Sequence, residues 1–275
     1  MRVNPGDPKV LQDFLAAKLS LSKRGAKEII DQRRCWVNRK CIWMARFALK
    51  TGDMVEAQKG IPKAPVKFHV RVLWQNENYL AADKPAGIVS CDDPKSAEAI
   101  LRVQEKIPTL EAVHRLDRDT TGCLLFAKNH AALAAAIEVF KTHKVSKTYH
   151  AICAGEFKFA HQVIDAPLDG QPAVSKVSRE ATGRDAAFLR IRIETGRTNQ
   201  IRRHLSSIRF PIVGDRTFGL KSARDPRLMT VPRQMLHAAA LELPDPTVKG
   251  ATIKAHSPLP ADFRATLKLF GMGRR

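Results

Sequence analysis

The sequence has little that would tie it to a membrane, a secretory route or a metal. Its longest apolar run, Ala131 to Ile137, falls far short of the ~20 residues that a membrane-spanning helix needs. No hydrophobic stretch follows a basic start in the first ten residues, MRVNPGDPKV, so no secretory signal and no membrane partner are expected, and the cytoplasm is the expected location. Five cysteines (Cys35, Cys41, Cys91, Cys123, Cys153) are an odd number without a CxxC pair. That argues against a disulfide framework or a zinc site and fits a reducing compartment. The nine histidines show no metal-ligand spacing, and no metal is expected. A GxGxxG unit and a phosphate loop ending in GK[ST] are both missing, which argues against dinucleotide and nucleoside-triphosphate chemistry. There is no internal repeat and no low-complexity segment.

Acidic residues are also scarce. Forty-seven Lys and Arg stand against 27 Asp and Glu, a formal net charge of +20. Such an excess implies a polyanionic partner, of which nucleic acid is the usual one. The excess is densest at the start, where residues 1–60 carry 13 basic and 6 acidic side chains. With 44% hydrophobic residues in 275, the chain can build a real core, as one large domain or two smaller ones.

Residues 8–21 read as a helix with Leu11, Phe14, Leu15 and Leu19 on one face. Ser22 reads as the N-cap of a second helix running to about Arg34, its buried stripe formed by Ala26, Ile29 and Ile30. Between those positions sit Lys23, Arg24, Lys27, Arg33 and Arg34, a cationic face suited to a phosphate backbone. Cys35-Trp36-Val37, a polar turn Asn38-Arg39-Lys40 and Cys41-Ile42-Trp43 read as a hairpin, and Thr51-Gly52-Asp53 turns into a last strand, Met54 to Ala57. Gly60 to Pro65 is the best linker in the chain. Beyond it, Val70 to Leu73 and Tyr79 to Ala82 read as strands, with Lys84-Pro85-Ala86-Gly87 as a closing loop. Residues 130–144 read as a helix, and Lys147 to Ala154, Phe188 to Glu194 and Met235 to Leu243 as β-like runs. The body is therefore expected to be mixed α+β, dominated by sheet.

Three segments could carry chemistry. In His114-Arg115-Leu116-Asp117-Arg118-Asp119-Thr120-Thr121-Gly122, a tight charged loop enters the apolar run Cys123 to Ala127. Arg115 and Arg118 flank Asp117 and favour its anion, which could serve as nucleophile or base; an ion-paired loop carboxylate is the plainer alternative. Thr195 to Leu205, TGRTNQIRRHL, reads as a phosphate-gripping loop with four cations if His204 is protonated, and one arginine could turn inward to a buried carboxylate. In Ser146 to Ala151, SKTYHA, Tyr149 is one of two tyrosines in the chain, and packing is its plainer role.

The order of two helices, a VN-type hairpin and a GD turn before a final strand resembles the alpha-L RNA-binding module, over about residues 8–58, with Arg39 where a glycine usually follows the asparagine. HRLDRDTTG, KTYHA and GRTNQIRRHL, followed by FPIVGD, resemble the RluA-type RNA pseudouridine synthases. The KPAG at 84–87, the LHA at 236–238 and the HSPLPADF at 256–263 also look like that family, in the same order. The resemblance implies an α+β pseudouridine synthase fold, a mixed and mainly antiparallel β-sheet with flanking helices, preceded by a small helix-helix-hairpin RNA-binding domain. The implied domains are 1–59, a linker over 60–68, and a catalytic domain over 69–275.

It also implies isomerisation of a uridine already in RNA, with no cofactor. By resemblance Asp117 is the catalytic aspartate, Arg202 the arginine paired with it, and Tyr149 the tyrosine that stacks on the base and assists loss of the C5 proton. Arg115 matches the residue that fills the gap left by a flipped-out nucleotide, and His114, Arg197 and Leu205 complete the base-flipping and substrate set. Lys23, Arg24, Lys27, Arg33, Arg34, Arg39 and Lys40 are the implied RNA contacts of the first module. Ribosomal RNA is the favoured substrate, tRNA the runner-up, and a monomer the expected state. A non-catalytic RNA-binding or ribosome-assembly factor on the same fold is the competing reading. Two departures stand in the body: Asn199 where GRTHQIR has histidine, and Thr121 where DxxTSG has serine.

Overall fold

A computed structural model describes residues 1–31, 34–42, 44–57, 69–142 and 144–273. The chain divides into two compact units, Met1–Lys67 and Phe68–Arg275. Arg33, Trp43 and the expected linker over 60–68 lie outside the described residues.

In the first unit, α1 (Leu11–Leu19) and α2 (Lys23–Asp31) cover a three-stranded sheet of β1 (Cys35–Val37), β2 (Lys40–Cys41) and β3 (Val55–Ala57), in the order β2-β1-β3. Leu11, Phe14 and Leu15 meet Ala26, Ile29, Ile30, Val37 and Val55 in one core. Helix α1 stops short of the expected residue 21 because Ser20 turns left-handed, at φ 54°. Ser22 does cap α2, its Oγ accepting from the Gly25 N–H at 3.1 Å. Arg34 lies beyond that helix rather than on its face, its N–H donating to Ile29 O at 3.0 Å.

The hairpin turn is Asn38-Arg39 alone, and Lys40 belongs to β2. Both turn residues have positive φ, 49° and 64°, the backbone of a two-residue primed turn that matches the twist of its strands. Asn38 further locks the turn to the last strand: its Nδ2 donates to Asp53 Oδ1 and its Oδ1 accepts from Met54 N–H, both at 2.9 Å.

The second unit is built on β4 (Arg71–Gln75), β5 (Tyr79–Lys84), α3 (Ala97–Gln104), β6 (Glu111–Ala112), β7 (Thr121–Ala127) and α4 (His130–Lys141). It continues with β8 (Ser146–Ala154), β9 (His161–Asp165), β10 (Val174–Gly183), β11 (Ala186–Ile193), α5 (Gln200–Ser207), α6 (Arg227–Thr230), β12 (Leu236–Pro244), β13 (Thr252–His256) and α7 (Ala261–Leu269). The sheet order is β4-β5-β7-β12-β8-β11-β10-β9, with β13 on β12 and β6 on β7. Among the described strands only β7 and β12 run parallel, pairing Thr121 with His237 and Gly122 with Ala238.

Strand β7 is buried along its whole length, which is why it reads as an unbroken apolar run rather than an alternating one. Leu124 and Phe126 enter the larger core beside Leu101, Leu205 and Phe263, from α3, α5 and α7. Cys123, Leu125 and Ala127 enter the other core, beneath Ala132 and Ala136 of α4.

Three expectations change. Lys84 is not in a loop: it ends β5, fully buried. The helix expected over 130–144 closes at Lys141, where the Thr142 hydroxyl donates to Val139 O at 2.8 Å. The segment read as a phosphate-gripping loop is mostly α5, because Ile201 and Leu205, four residues apart, are buried together in the core.

Candidate active site

The loop from His114 to Thr120 is latched on several sides before it delivers any side chain. Ser90 Oγ donates to Leu116 O and accepts from Leu116 N–H, at 3.0 and 2.8 Å. Buried Lys84 points its Nζ at Pro85 O, Ile88 O and Arg118 O, within 3.0 Å of each. Gln234 Nε2 donates to Thr120 Oγ1 at 2.7 Å, and Arg233, bidentate to Asp262, donates to Asp119 O at 3.1 Å. The turn itself closes with Thr120 N–H on Asp117 O at 3.0 Å.

Asp117 thus projects into a cavity of about 450 Å³ lined by His114, Arg115, Phe140, Lys147, Tyr149, Arg197, Asn199, Gln200 and Arg202, among others. That volume lies within the ~300–1,000 Å³ usual for small-ligand sites and is ample for one nucleoside. The cation that meets Asp117 is Arg202 of α5, with Nη1 3.0 Å from Oδ2, and not its chain neighbours. Arg115 is exposed, and the Nε of Arg118 donates to Gly87 O.

Arg202 is 10% exposed and spends its other nitrogens on Asp215, whose side chain is fully buried: Nε to Oδ2 at 2.6 Å and Nη2 to Oδ1 at 2.9 Å. Burial alone would raise the Asp215 carboxyl, but Arg202 and the N–H groups of Phe218 and Thr217 outweigh it and hold the pKa below the usual value. Nothing in the spacing of the sequence marked Asp215 as part of the site. Only the GD that follows FPIV in the resemblance could have done so.

Asn199 precedes α5 in the left-handed region, at φ 54°, a conformation that asparagine tolerates better than most residues. Its Oδ1 accepts from the same Arg202 nitrogen that reaches Asp117. Gln200 fixes the turn before the helix, accepting from Thr195 Oγ1 and Arg197 N–H and donating to Val174 O.

Burial and the nearby charge of Lys147 pull His114 down to about 3. Its Nε2 accepts from Leu125 N–H at 3.2 Å, and its ring stacks on Phe140 at 5.2 Å, so it is a neutral wall of the cavity. Tyr149 is buried, and burial, with Asp117 and Cys123 nearby, pushes its hydroxyl well above the usual phenol value. Arg197 lines the cavity while its Nε donates to Pro172 O at 3.1 Å.

Two of the residues singled out from the sequence do not reach the cavity. Leu205 is buried in the core, and Ile201, one turn earlier, lines the site in its place. His204 is not a cation either. Burial lowers its pKa, and its ring nitrogens are taken by Ser175 Oγ and Ala166 O at 2.9 and 3.0 Å.

Such a cavity has room for a nucleoside-sized group and turns a carboxylate, a guanidinium and a phenol into it, as the site of an enzyme would. The family model for RNA pseudouridylate synthase matches residues 78–207. A ribosomal large subunit pseudouridine synthase D of Pseudomonas aeruginosa is 34% identical over 75% of this chain and 73% of its own. Its counterpart from Xanthomonas campestris is 32% identical over 80% and 76%. The fold of human RNA pseudouridylate synthase domain containing 4 matches with a TM-score of 0.62 at 22% identity, covering 72% of this chain and 92% of that one. This chain belongs to the RNA pseudouridine synthase family, enzymes that isomerise uridine within RNA. Among the described residues no helix is long and apolar enough to cross a membrane.

Proposed function

We propose that the chain converts a uridine of ribosomal RNA to pseudouridine, with Asp117 as nucleophile. The observation that carries this reading is the Arg202–Asp117 contact of 3.0 Å inside a cavity shared with Tyr149. The names of the bacterial relatives favour ribosomal over transfer RNA. The target nucleotide leaves its stack, at a cost of a few kcal/mol, and Arg115 at the exposed rim fills the gap. Stacking on Tyr149 returns ~1–3 kcal/mol.

The Asp117 carboxylate then attacks C1′ of the ribose, and the C1′–N1 bond breaks with its electron pair leaving on uracil. The base turns, C5 attacks C1′, and Asp117 departs as carboxylate. The C5 proton leaves and a proton is taken up at N1, so the composition is unchanged. Tyr149, held as a neutral phenol, accepts the C5 proton only while giving up its own, which makes it a relay toward the regenerated carboxylate.

The first unit acts as an alpha-L-type RNA-binding domain. Lys23 and Lys27 are partnered by Asp13 and Asp31, at 2.9 and 2.7 Å. Arg24, Arg34, Arg39 and Lys40 form no ion pair among the described residues and therefore carry more of the phosphate binding. A monomer is the proposed working unit, and the thiols of Cys91, Cys123 and Cys153 favour the cytoplasm as its compartment.

Tritium release from RNA labelled at uracil C5, compared between the wild type and Asp117→Ala, tests the reading. Release from ribosomal RNA that needs Asp117 is the expected result. Release from transfer RNA alone replaces the substrate, and release that survives the substitution removes Asp117 from the chemistry.

A further inference from the structure

The chemistry just proposed puts a negative charge on uracil once the C1′–N1 bond breaks, and Arg202 is poorly placed to meet it. Its Nε, Nη1 and Nη2 are all committed, to Asp215, Asp117 and Asn199. Arg115 stands exposed at the mouth, and Arg197 is tied to Pro172 O. Lys147 remains. It precedes Tyr149 by two residues on β8, so both side chains leave the same face of the strand. It lines the cavity, with Nζ 4.8 Å above the Phe140 ring. Among the described residues no carboxylate pairs with it, while the two exposed lysines on the described strands of the second unit's sheet, Lys176 and Lys254, each have one.

From this placement we infer that Lys147 is a further catalytic residue, whose ammonium meets one carbonyl oxygen, O2 or O4, of the departing uracil and stabilises its anion. The inference rests on the uridine isomerisation proposed above. Lys147 transfers no proton: the electron pair that leaves with N1 is spread over N1, O2 and O4 beside a fixed positive charge, and returns to C1′ through C5. Burial works in the same direction. It lowers the pKa of Lys147, as expected for an ammonium removed from water with nothing yet to balance it. A charge of that kind is worth most when the opposite charge appears in the same water-poor space.

The test compares wild type with Lys147→Met in RNA affinity and in single-turnover tritium release at saturating RNA. Loss of a preorganised charge contact of this kind lowers rates by about 10²–10³-fold, and affinity should stay within a few-fold of wild type. A second readout uses RNA carrying 5-fluorouridine, followed by its disappearance from nuclease digests. Fluorine makes uracil a more stable anion, so the defect of Lys147→Met should shrink about tenfold or more on that substrate.

A defect equal on both substrates overturns the inference, as does weakened affinity with an unchanged rate, which would place the ammonium on a backbone phosphate. Lys147→Gln, uncharged but polar, gives the same comparison if the methionine variant does not fold. A wild type that releases no tritium removes the isomerisation reading and this inference together, whereas an active wild type with an equally active Lys147→Met overturns the lysine's role alone.

Discussion

Arg202 grips Asp215 with two nitrogens, Nε at 2.6 Å and Nη2 at 2.9 Å, and offers Asp117 only the third. The buried pair makes the guanidinium a fixed bracket, and Asp117 is oriented by something that does not itself move. Asp215→Asn keeps the shape and removes the charge that balances Arg202 in the interior. Breaking a buried pair from one side costs about 3 kcal/mol or more, read as a lower denaturant midpoint. Misplacement of Asp117 should slow single-turnover tritium release by about 10²-fold, with RNA affinity kept. Normal release from a folded Asp215→Asn would show that Asp117 needs no such bracket.

His114 gives a pH signature. Its folded value of about 3 lies below the ordinary histidine value of 6.5. Between those limits the unfolded chain binds a proton that the folded chain refuses, so stability is fully present above pH 6.5 and declines as pH falls toward 3. The ring should still be neutral at pH 5, which NMR of the imidazole reads directly. His114→Asn should flatten the acid limb of the stability curve, and a ring titrating near 6.5 would contradict the burial described.

Lys84 supplies three N–H groups to three carbonyls of the loops at 85–88 and 118. Lys84→Met strands those acceptors, each stranded group costing ~1–3 kcal/mol. The expected loss is about 3 kcal/mol in denaturant melts, with a slower rate because the Asp117 loop is loosened. Hydrogen exchange at Arg118 and its neighbours should quicken; unchanged exchange would mean the loop is held without the lysine.

In the first unit, reversing Arg24, Arg34 and Arg39 to Glu should weaken RNA binding and reduce its salt slope by about 3 or more, near one for each cation removed. Turnover of bound RNA should be kept. The matching reversal of Lys23 and Lys27, already partnered by Asp13 and Asp31, should do less. Equal effects from the two sets would show that the surface ion pairs do not shape the binding face.

The sequence displayed what chain-local chemistry displays. Strand β7 was legible from its unbroken apolar run and the first unit's core from the spacing of Leu11, Phe14, Leu15 and Ile29, whereas Asp117, Tyr149 and Arg202 were singled out together only through the family resemblance of their segments. Helix α5 was not, because Arg202, Arg203 and His204 crowd the stripe that Ile201 and Leu205 begin, and a cation-rich octet looks like a loop until its partners are known. His204 looked charged for the same reason: its neutral state comes from burial, which no single segment reveals, and its ring nitrogens meet Ser175 and Ala166, tens of residues away. Asp215 was not marked because its partner Arg202 lies in another segment, and Lys147 because the cavity it lines is assembled from several. Helices α3 and α7 passed unread.

The parallel seam between β7 and β12 has a consequence for when the enzyme becomes an enzyme. Strand β12 lies between β7 and β8 in the sheet, although more than a hundred residues separate it from β7 along the chain. Asp117 sits at the entrance to β7 and Tyr149 on β8, so the two halves of the cavity are joined through a strand that leaves the ribosome well after both of them. Contacts this distant in sequence form late, after the loop-closure entropy has been met. A nascent chain halted before residue 236 would carry most of the residues that line the cavity and still lack the strand that brings them together.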